Sequence, residues 1–467
     1  MKSHFSIVAM LAVFLAGCAA GPNYRRPAVS PPPAFRGQLT PPDGASLADA
    51  KWFEVFKDEQ LQGLIRTALE HNYDMREAVA RVEAAQAGLG ITRSNQYPTV
   101  AAGADITAVR SARNGSFVVP AGFQQDRTFG TVSAALLSYE VDIWGRLRRE
   151  TEAARADLLA TEEGRRVVSM TLVSDVATSY FNLLELDLEL EIARRTLATR
   201  QDSLRVIQTR QSRGLASLLD VRQAEQLVQV AAEAVPIAEQ RIEQTENQIR
   251  LLVGDYPGPV ERNRGLTDQQ LPPQVPAGLP SSLLERRPDI GAAEQNLIAA
   301  NATIGVAKAA YFPQISLTGL FGFQSSQLSS LFTGPAKVWQ FTPQVTQPIF
   351  TGGRLKSNVR LAGAQQQIAL VQYERSIRTA FREVADALVD YQKVREIRGA
   401  QETLVATLQD RSRLAYRRYQ GGVDTLLDAL DADRDLFDAE LRLAQVKRDE
   451  LVSVVQLYRA LGGGWQQ

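Results

Sequence analysis

The chain has 467 residues, with 52 Lys and Arg against 52 Asp and Glu, two histidines and one cysteine. Balanced charge and the lack of a basic stripe with interleaved aromatics give no platform for nucleic acid. His4, His71 and Cys18 are too few for a histidine-based catalytic or metal constellation, so neither an enzyme nor a cofactor is expected. One cysteine also excludes an internal disulfide.

At the N-terminus, Lys2 and His4 precede an apolar run from Phe5 to Ala16. It is too short to cross a bilayer as a helix and reads as a signal peptide over residues 1–17. The run ends in Leu15-Ala16-Gly17-Cys18, which is similar to a bacterial lipobox. That resemblance implies cleavage before Cys18 and acylation of its thiol and new amino group; two or more acyl chains anchor stably where one is marginal. Ala19 follows, rather than the aspartate that often retains lipoproteins at the inner membrane, which points to the outer membrane. Residues 18–50 carry Pro22, Pro27, Pro31-Pro32-Pro33 and Pro41-Pro42, the composition of an extended tether. Trp52, Phe53, Phe56, Leu61, Leu64, Ile65 and Leu69 then predict one short amphipathic helix.

The rest of the chain is one unit written twice. Gly145-Arg146-Leu147 returns as Gly353-Arg354-Leu355, Gly214 as Gly422, Asp220 as Asp428 and Gly254 as Gly462, all at one offset, 353 − 145 = 208. The copies occupy 51–254 and 289–467, joined by a Pro-rich linker at 255–288. In the first copy, residues 72–95 are helical by composition, and Pro98 ends the run. From Thr99 the period becomes two, with Val100, Ala102, Ala104, Ile106 and Ala108 on one side, and a second strand follows from about Phe129 to Val141. In the second copy Ile315, Leu317, Phe321 and Phe323 alternate with Ser316, Thr318 and Gly322. Trp339, Phe341, Val345 and Ile349 likewise alternate with Gln340, Thr342, Gln344 and Thr346. Each candidate strand is close to the ~9–11 residues that cross a bilayer tilted. A hairpin with one face on a soluble core would show the same alternation.

Long helices flank these hairpins. From Leu147 to Ser212 there is no proline, and 66 residues at ~1.5 Å each would span roughly 100 Å. Leu183, Leu190, Leu197 and Leu204 recur every seven residues, with Leu186, Ala193 and Ile207 in the complementary positions, the pattern of a coiled-coil seam. After Gly214, Val221, Val228, Val235, Ile242 and Ile249 repeat the spacing beside Ala224, Ala231 and Ala238; Pro236 should kink this helix. Leu430, Phe437, Ala444, Leu451 and Tyr458 do the same in the second copy.

Four strands per chain cannot close a barrel, and lipid tolerates no open edge. Two chains would give eight strands around a filled interior, and three would give twelve around water. Polar inward faces favour three.

These features resemble the outer membrane efflux protein family, of the TolC/OprM type, in its lipoprotein (NodT-like) branch. The resemblance rests on Leu15-Ala16-Gly17-Cys18, Gly21-Pro22-Asn23-Tyr24, Tyr311-Phe312-Pro313, Glu285-Arg286-Arg287-Pro288-Asp289-Ile290 and the two glycine turns. It implies an α+β membrane protein, a homotrimer with a twelve-stranded β-barrel continuous with a twelve-helix α-barrel and a mixed equatorial domain. It also implies an outer membrane location reaching into the periplasm, a periplasmic adaptor (membrane fusion protein) and an inner-membrane pump as partners, and a passive, gated duct for small molecules. A type I secretion exit duct and a lipid-anchored coiled-coil spacer are the alternatives. By position the resemblance makes Gly214, Leu215, Ser217, Gly421, Gly422 and Val423 adaptor-contact tips, and Asp428 and Asp431 a constricting ring. Tyr419 and Asp220 match a tip-closing pair. Asp424 departs from the best-known branch, which has an arginine there; it reads either as part of the acidic crowd or as a helix N-terminal acid. Asp289 reads as the cap of the helix that follows it.

Overall fold

The computed structural model describes residues 19–38, 46–112, 122, 125–270 and 276–466. Cys18 and the signal segment lie outside them. The helices are α1 (Trp52–Val55), α2 (Glu59–His71), α3 (Tyr73–Ser94), α4 (Arg146–Ser212), α5 (Leu218–Leu252), α6 (Leu283–Arg286), α7 (Pro288–Ala309), α8 (Arg354–Gln420) and α9 (Leu426–Ala460). The strands are β1 (Val100–Arg110), β2 (Asp126–Glu140), β3 (Gln314–Ser325) and β4 (Lys337–Thr346). Both α4 and α8 have 67 residues, and both α5 and α9 have 35. Every boundary of the second pair is a boundary of the first displaced by the same step, as in 426 − 218 = 208. Gly145, Gly214 and Gly254 have positive φ, and so do Gly353, Gly422 and Gly462. The duplication is thus kept at the level of turn conformation.

The chain divides into two compact units, which cut across the repeats. The unit of residues 82–161 and 293–373 holds an antiparallel meander in the order β1-β2-β3-β4. The register puts Ala102 opposite Ala134, Ala134 opposite Phe321 and Phe321 opposite Trp339. Since directly paired residues share a face, the apolar sets of all four strands lie together. Gly103, Ser133, Gly322 and Val338 form a row of the opposite face, with Gln324, Thr342 and Gln344 on that face too. The outer strands β1 and β4 each keep one unpaired edge. β4 ends at Thr346, so Ile349 lies beyond the strand predicted to contain it and is exposed. Pro348 explains the stop, because proline cannot donate to a ladder. The β1–β2 connection (111–125) is longer than the β3–β4 connection (326–336), in line with the 47 steps from Pro98 to Gly145 (145 − 98) against the 40 from Pro313 to Gly353 (353 − 313).

In the same unit residues 19–27, expected as the start of a tether, are pinned to the helices around them. Arg149 donates to the Asn23 side chain at 2.6 Å, Asn301 to the Pro22 carbonyl at 3.1 Å, and Tyr24 to Glu294 at 3.0 Å. Gly21, at φ 92°, lies so close to Gly305 that a Cβ on it would fall 2.5 Å from the Gly305 Cα.

The second unit (28–81, 162–292, 374–467) contains the helical seams. Leu183, Leu186, Ile242, Ile249 and Val260 form one buried cluster, Ile192, Ala193, Phe437 and Ala444 a second, and Ile207, Val221, Ala224, Leu426 and Leu430 a third. Apart from Val260, Ile192 and Leu426, these are the heptad positions read from the sequence. An 18-residue window of α4 is apolar enough to cross a membrane, but 67% of it is buried, which marks core helix. α5 runs unbroken through Pro236. The amphipathic helix expected from Trp52 to Leu69 is split, because buried Asp58 accepts from the Gln60 and Leu61 amides and caps α2. Its other oxygen is held by Tyr180 at 3.1 Å and Gln269 at 2.8 Å.

The described residues of the 255–288 passage include two short 3₁₀ turns and α6. Asp289 does not cap α7; it lies inside the first turn and holds Arg287 at 2.7 Å. Buried Arg287 also donates to the Ala460 carbonyl at 3.0 Å and pairs with Glu383 at 2.7 Å, tying α7, α8 and the end of α9 together.

Ala231 is fully buried in the small-residue row of α5. Ala231→Leu is expected to cost about 1–3 kcal/mol through overpacking, read as a lowered denaturation midpoint in detergent.

Candidate functional site

The α4–α5 and α8–α9 connections fold by one set of rules. α4 ends in a Schellman motif, with Gly214 N–H donating to the Gln211 carbonyl and Leu215 N–H to the Arg210 carbonyl at 2.8 Å. α8 ends the same way, with Gly422 N–H donating to Tyr419 and Val423 N–H to Arg418 at 2.9 Å. Glycine takes the left-handed position at no steric cost, at φ 72° and 74°. The next helix starts at once in a capping box: Ser217 with Asp220 before α5, and Thr425 with Asp428 before α9.

These boxes relocate the acidic residues. The helix-start acid is Asp428 and not Asp424: the Thr425 hydroxyl donates to the Asp428 carboxylate at 2.6 Å, and the Asp428 amide returns a bond to the hydroxyl. Asp424 precedes α9 and sits in a fork from Arg418, whose Nε and Nη2 donate at 2.6 and 2.8 Å. That hydrogen-bonded guanidinium holds the Asp424 carboxyl below the usual carboxylate range. A cation thus stands beside Asp424, six residues earlier in the chain, at the end of α8. Half-buried Asp431 pairs with Arg434 at 3.2 Å, which also engages Asp435. Within the chain Asp220 serves its own capping box, while the Tyr419 ring carries the Arg210 guanidinium at 4.8 Å and packs on the Ile207–Leu430 cluster.

Just behind the turns is a lock that the sequence reading missed. Arg200 on α4 is buried; its Nε donates to Asp433 on α9 at 2.7 Å and its Nη1 to the Leu227 carbonyl on α5 at 3.0 Å. The guanidinium also lies over the Phe437 ring at 4.9 Å. Tyr416 on α8 sits beside it, and burial, then the nearby Asp433, push its phenol up. A heptad reading signals Arg200 only as a charge among apolar seam positions. The tips themselves are apolar and bare: Leu215, Leu218, Leu219, Val423 and Leu427 are all exposed, Leu215 at 66% and Val423 at 67%. The arrangement has paired charges around two hairpin ends and an uncovered apolar rim.

The outer membrane efflux protein profile matches residues 64–255 and 279–463. The toluene efflux pump outer membrane protein TtgF of Pseudomonas putida is 38% identical over 480 residues, covering 100% of this chain and 98% of the relative. The cation efflux system protein CusC of Escherichia coli is 36% identical, with 98% of each covered. Among solved structures, the open state of the Neisseria gonorrhoeae MtrE outer membrane channel superposes with a TM-score of 0.86 at 33% identity, over 96% of this chain and 99% of that one. This chain belongs to the outer membrane efflux protein family and has its fold, and as such it is the outer-membrane channel component of an efflux system.

Removing the hydroxyl cap in Thr425→Ala or Ser217→Ala should cost about 1 kcal/mol of local helix stability. Hydrogen exchange should then quicken at the first amides of α9 or α5 respectively.

Proposed function

We propose that three copies of this chain pool their strands into a twelve-stranded barrel through the outer membrane and their long hairpins into a twelve-helix duct in the periplasm. The observation that carries this is the four-stranded sheet, with an apolar face, a polar face and two unpaired edges. Unpaired backbone costs several kcal/mol per group in hydrocarbon, so each edge must meet a neighbour's. The helices carry a matching second seam. Val230, Ile237 and Leu251 on α5 are exposed at multiples of seven, facing away from the buried heptads of the same helix, and Ile397 and Leu404, seven apart on α8, are exposed on the flank of its buried row. A neighbouring copy is the surface that covers them.

The duct is passive; energy enters through an inner-membrane pump joined by a periplasmic adaptor. The exposed leucine and valine rim of the two glycine tips suits an adaptor's apolar end. Gly214, Leu215, Ser217, Gly421, Gly422 and Val423 are the contact set, with Ser217 acting first as a helix cap. Asp431 faces the narrowing between copies while Arg434 limits its repulsion, and Asp428 contributes through the helix start it holds. Tyr419, Asp220 and Asp424 set the shape of each tip. Acylation of Cys18, outside the described residues, anchors the assembly to the outer membrane. Relatives named for toluene, solvent and cation efflux favour small cargo over secreted protein.

Two outcomes test this. Ile237→Glu places a charge on the exposed seam and should abolish trimers in crosslinking while leaving the monomer helical by circular dichroism. Asp431→Ala spares the capping box and should raise single-channel conductance in planar bilayers. Unchanged conductance in an assembled trimer would remove Asp431 from the gate.

A further inference from the structure

The seam between the two hairpins contains a pair of carboxyl groups that the duct itself does not require. Glu185 and Glu189 lie one turn apart on α4 and are both buried, Glu185 at 1% exposure. Glu189 is fully served from both sides: Arg241 on α5 pairs with one oxygen at 2.9 Å, and Gln445 on α9 donates to the other at 3.0 Å. Glu185 is not. Its Oε1 is buried without a hydrogen-bond partner, and its Oε2 has only the Arg448 guanidinium of α9 at 3.7 Å. Arg448 is itself engaged, with Asp449 at 2.8 Å and Asn182 at 3.4 Å. The charged groups facing Glu185 are thus Glu189 on its own helix, Arg241 from α5 and Arg448 from α9.

An ionised carboxylate in that position would be an acceptor lacking donors, one helical turn from a second negative charge. Buried charge without full pairing is strongly disfavoured. A neutral Glu185 carboxyl has a proton to give, and the Glu189 carboxylate beside it can take the hydrogen bond. The shared proton would then connect Glu185, Glu189, Arg241 and Gln445 across three helices of the two hairpins.

We infer that Glu185 and Glu189 form a proton-dependent latch between the first and second hairpins, closed while they share a proton and loosened when Glu185 ionises. This regulation rests on the duct reading, because it is the α4–α9 seam of the duct wall that loosens. Burial first, then the Glu189 carboxylate, push the Glu185 carboxyl up to about 8, while Arg448 and Arg241 oppose the shift. The folded state therefore holds a proton that the unfolded chain, with an ordinary glutamate near 4.5, has released. By linkage the stability of the seam falls as pH rises between those two values and levels off above the upper one.

The experiment compares the purified full-length trimer with Glu185→Gln, which keeps a neutral hydrogen-bond donor and cannot ionise. Melting temperature and planar-bilayer conductance are each measured from pH 6 to pH 9.5. For the wild type a fall in melting temperature and a rise in conductance are expected, the rise centred at about pH 8; both steps should be lost in E185Q. A wild type flat in both readouts overturns the latch, as does an E185Q protein that titrates at the same midpoint. If E185Q does not assemble, the wild-type profile alone decides. Absence of conductance at every pH would reject the duct, while the melting profile would still test the latch.

Discussion

Hydrocarbon offers no hydrogen bonds, and that constraint governs this chain from end to end. A meander of β1 to β4 satisfies its interior strands and leaves two edges bare, so the chain cannot be complete alone. The same incompleteness is visible in the helices, where α5 and α8 bury one row of heptad residues within the chain and leave another uncovered. Sheet and helices therefore call for the same neighbour by different physics, backbone pairing in one case and apolar area in the other.

Duplication supplies the wall, and divergence between the copies supplies the working parts. Both tips share a Schellman end, a left-handed glycine and a capping box. Around this common frame the second copy adds the Arg418–Asp424 fork, the Asp431–Arg434 pair and Tyr419 against Arg210. The first copy contributes Arg200, which reaches out of α4 into α5 and α9. A burial of that kind holds two hairpins in a fixed relation, because separating them would leave a guanidinium and a carboxylate each without its partner.

Much of the architecture was legible because it is periodic. A period of two located β1, β3 and β4, a period of seven located the seams, and the constant offset of the glycine turns recurs in the paired helix boundaries to the residue. Aperiodic features were not legible. Ile349 continued an alternation that Pro348 had already ended. The Trp52–Leu69 stretch reads as one helix until Asp58 is seen to cap its second part. Asp424 and Asp428 look interchangeable as acids near a helix start, and only the hydroxyl of Thr425 separates them. Arg200, Glu185 and Arg287 depend on partners hundreds of residues or several helices away, which spacing along one chain cannot reveal.

The matched lengths of α4 with α8 and of α5 with α9 carry an evolutionary corollary. Adding one residue to a helix advances it by ~1.5 Å and rotates everything beyond by about 100°. Such a change in one copy would misalign its tip and turn its seam away from the other's. Insertions are thus confined to the strand connections, where 111–125 and 326–336 already differ, or must arise in both copies together. The two halves of the chain act as gauges for each other, and a mutational survey should find the long helices open to substitution yet closed to single-residue changes of length.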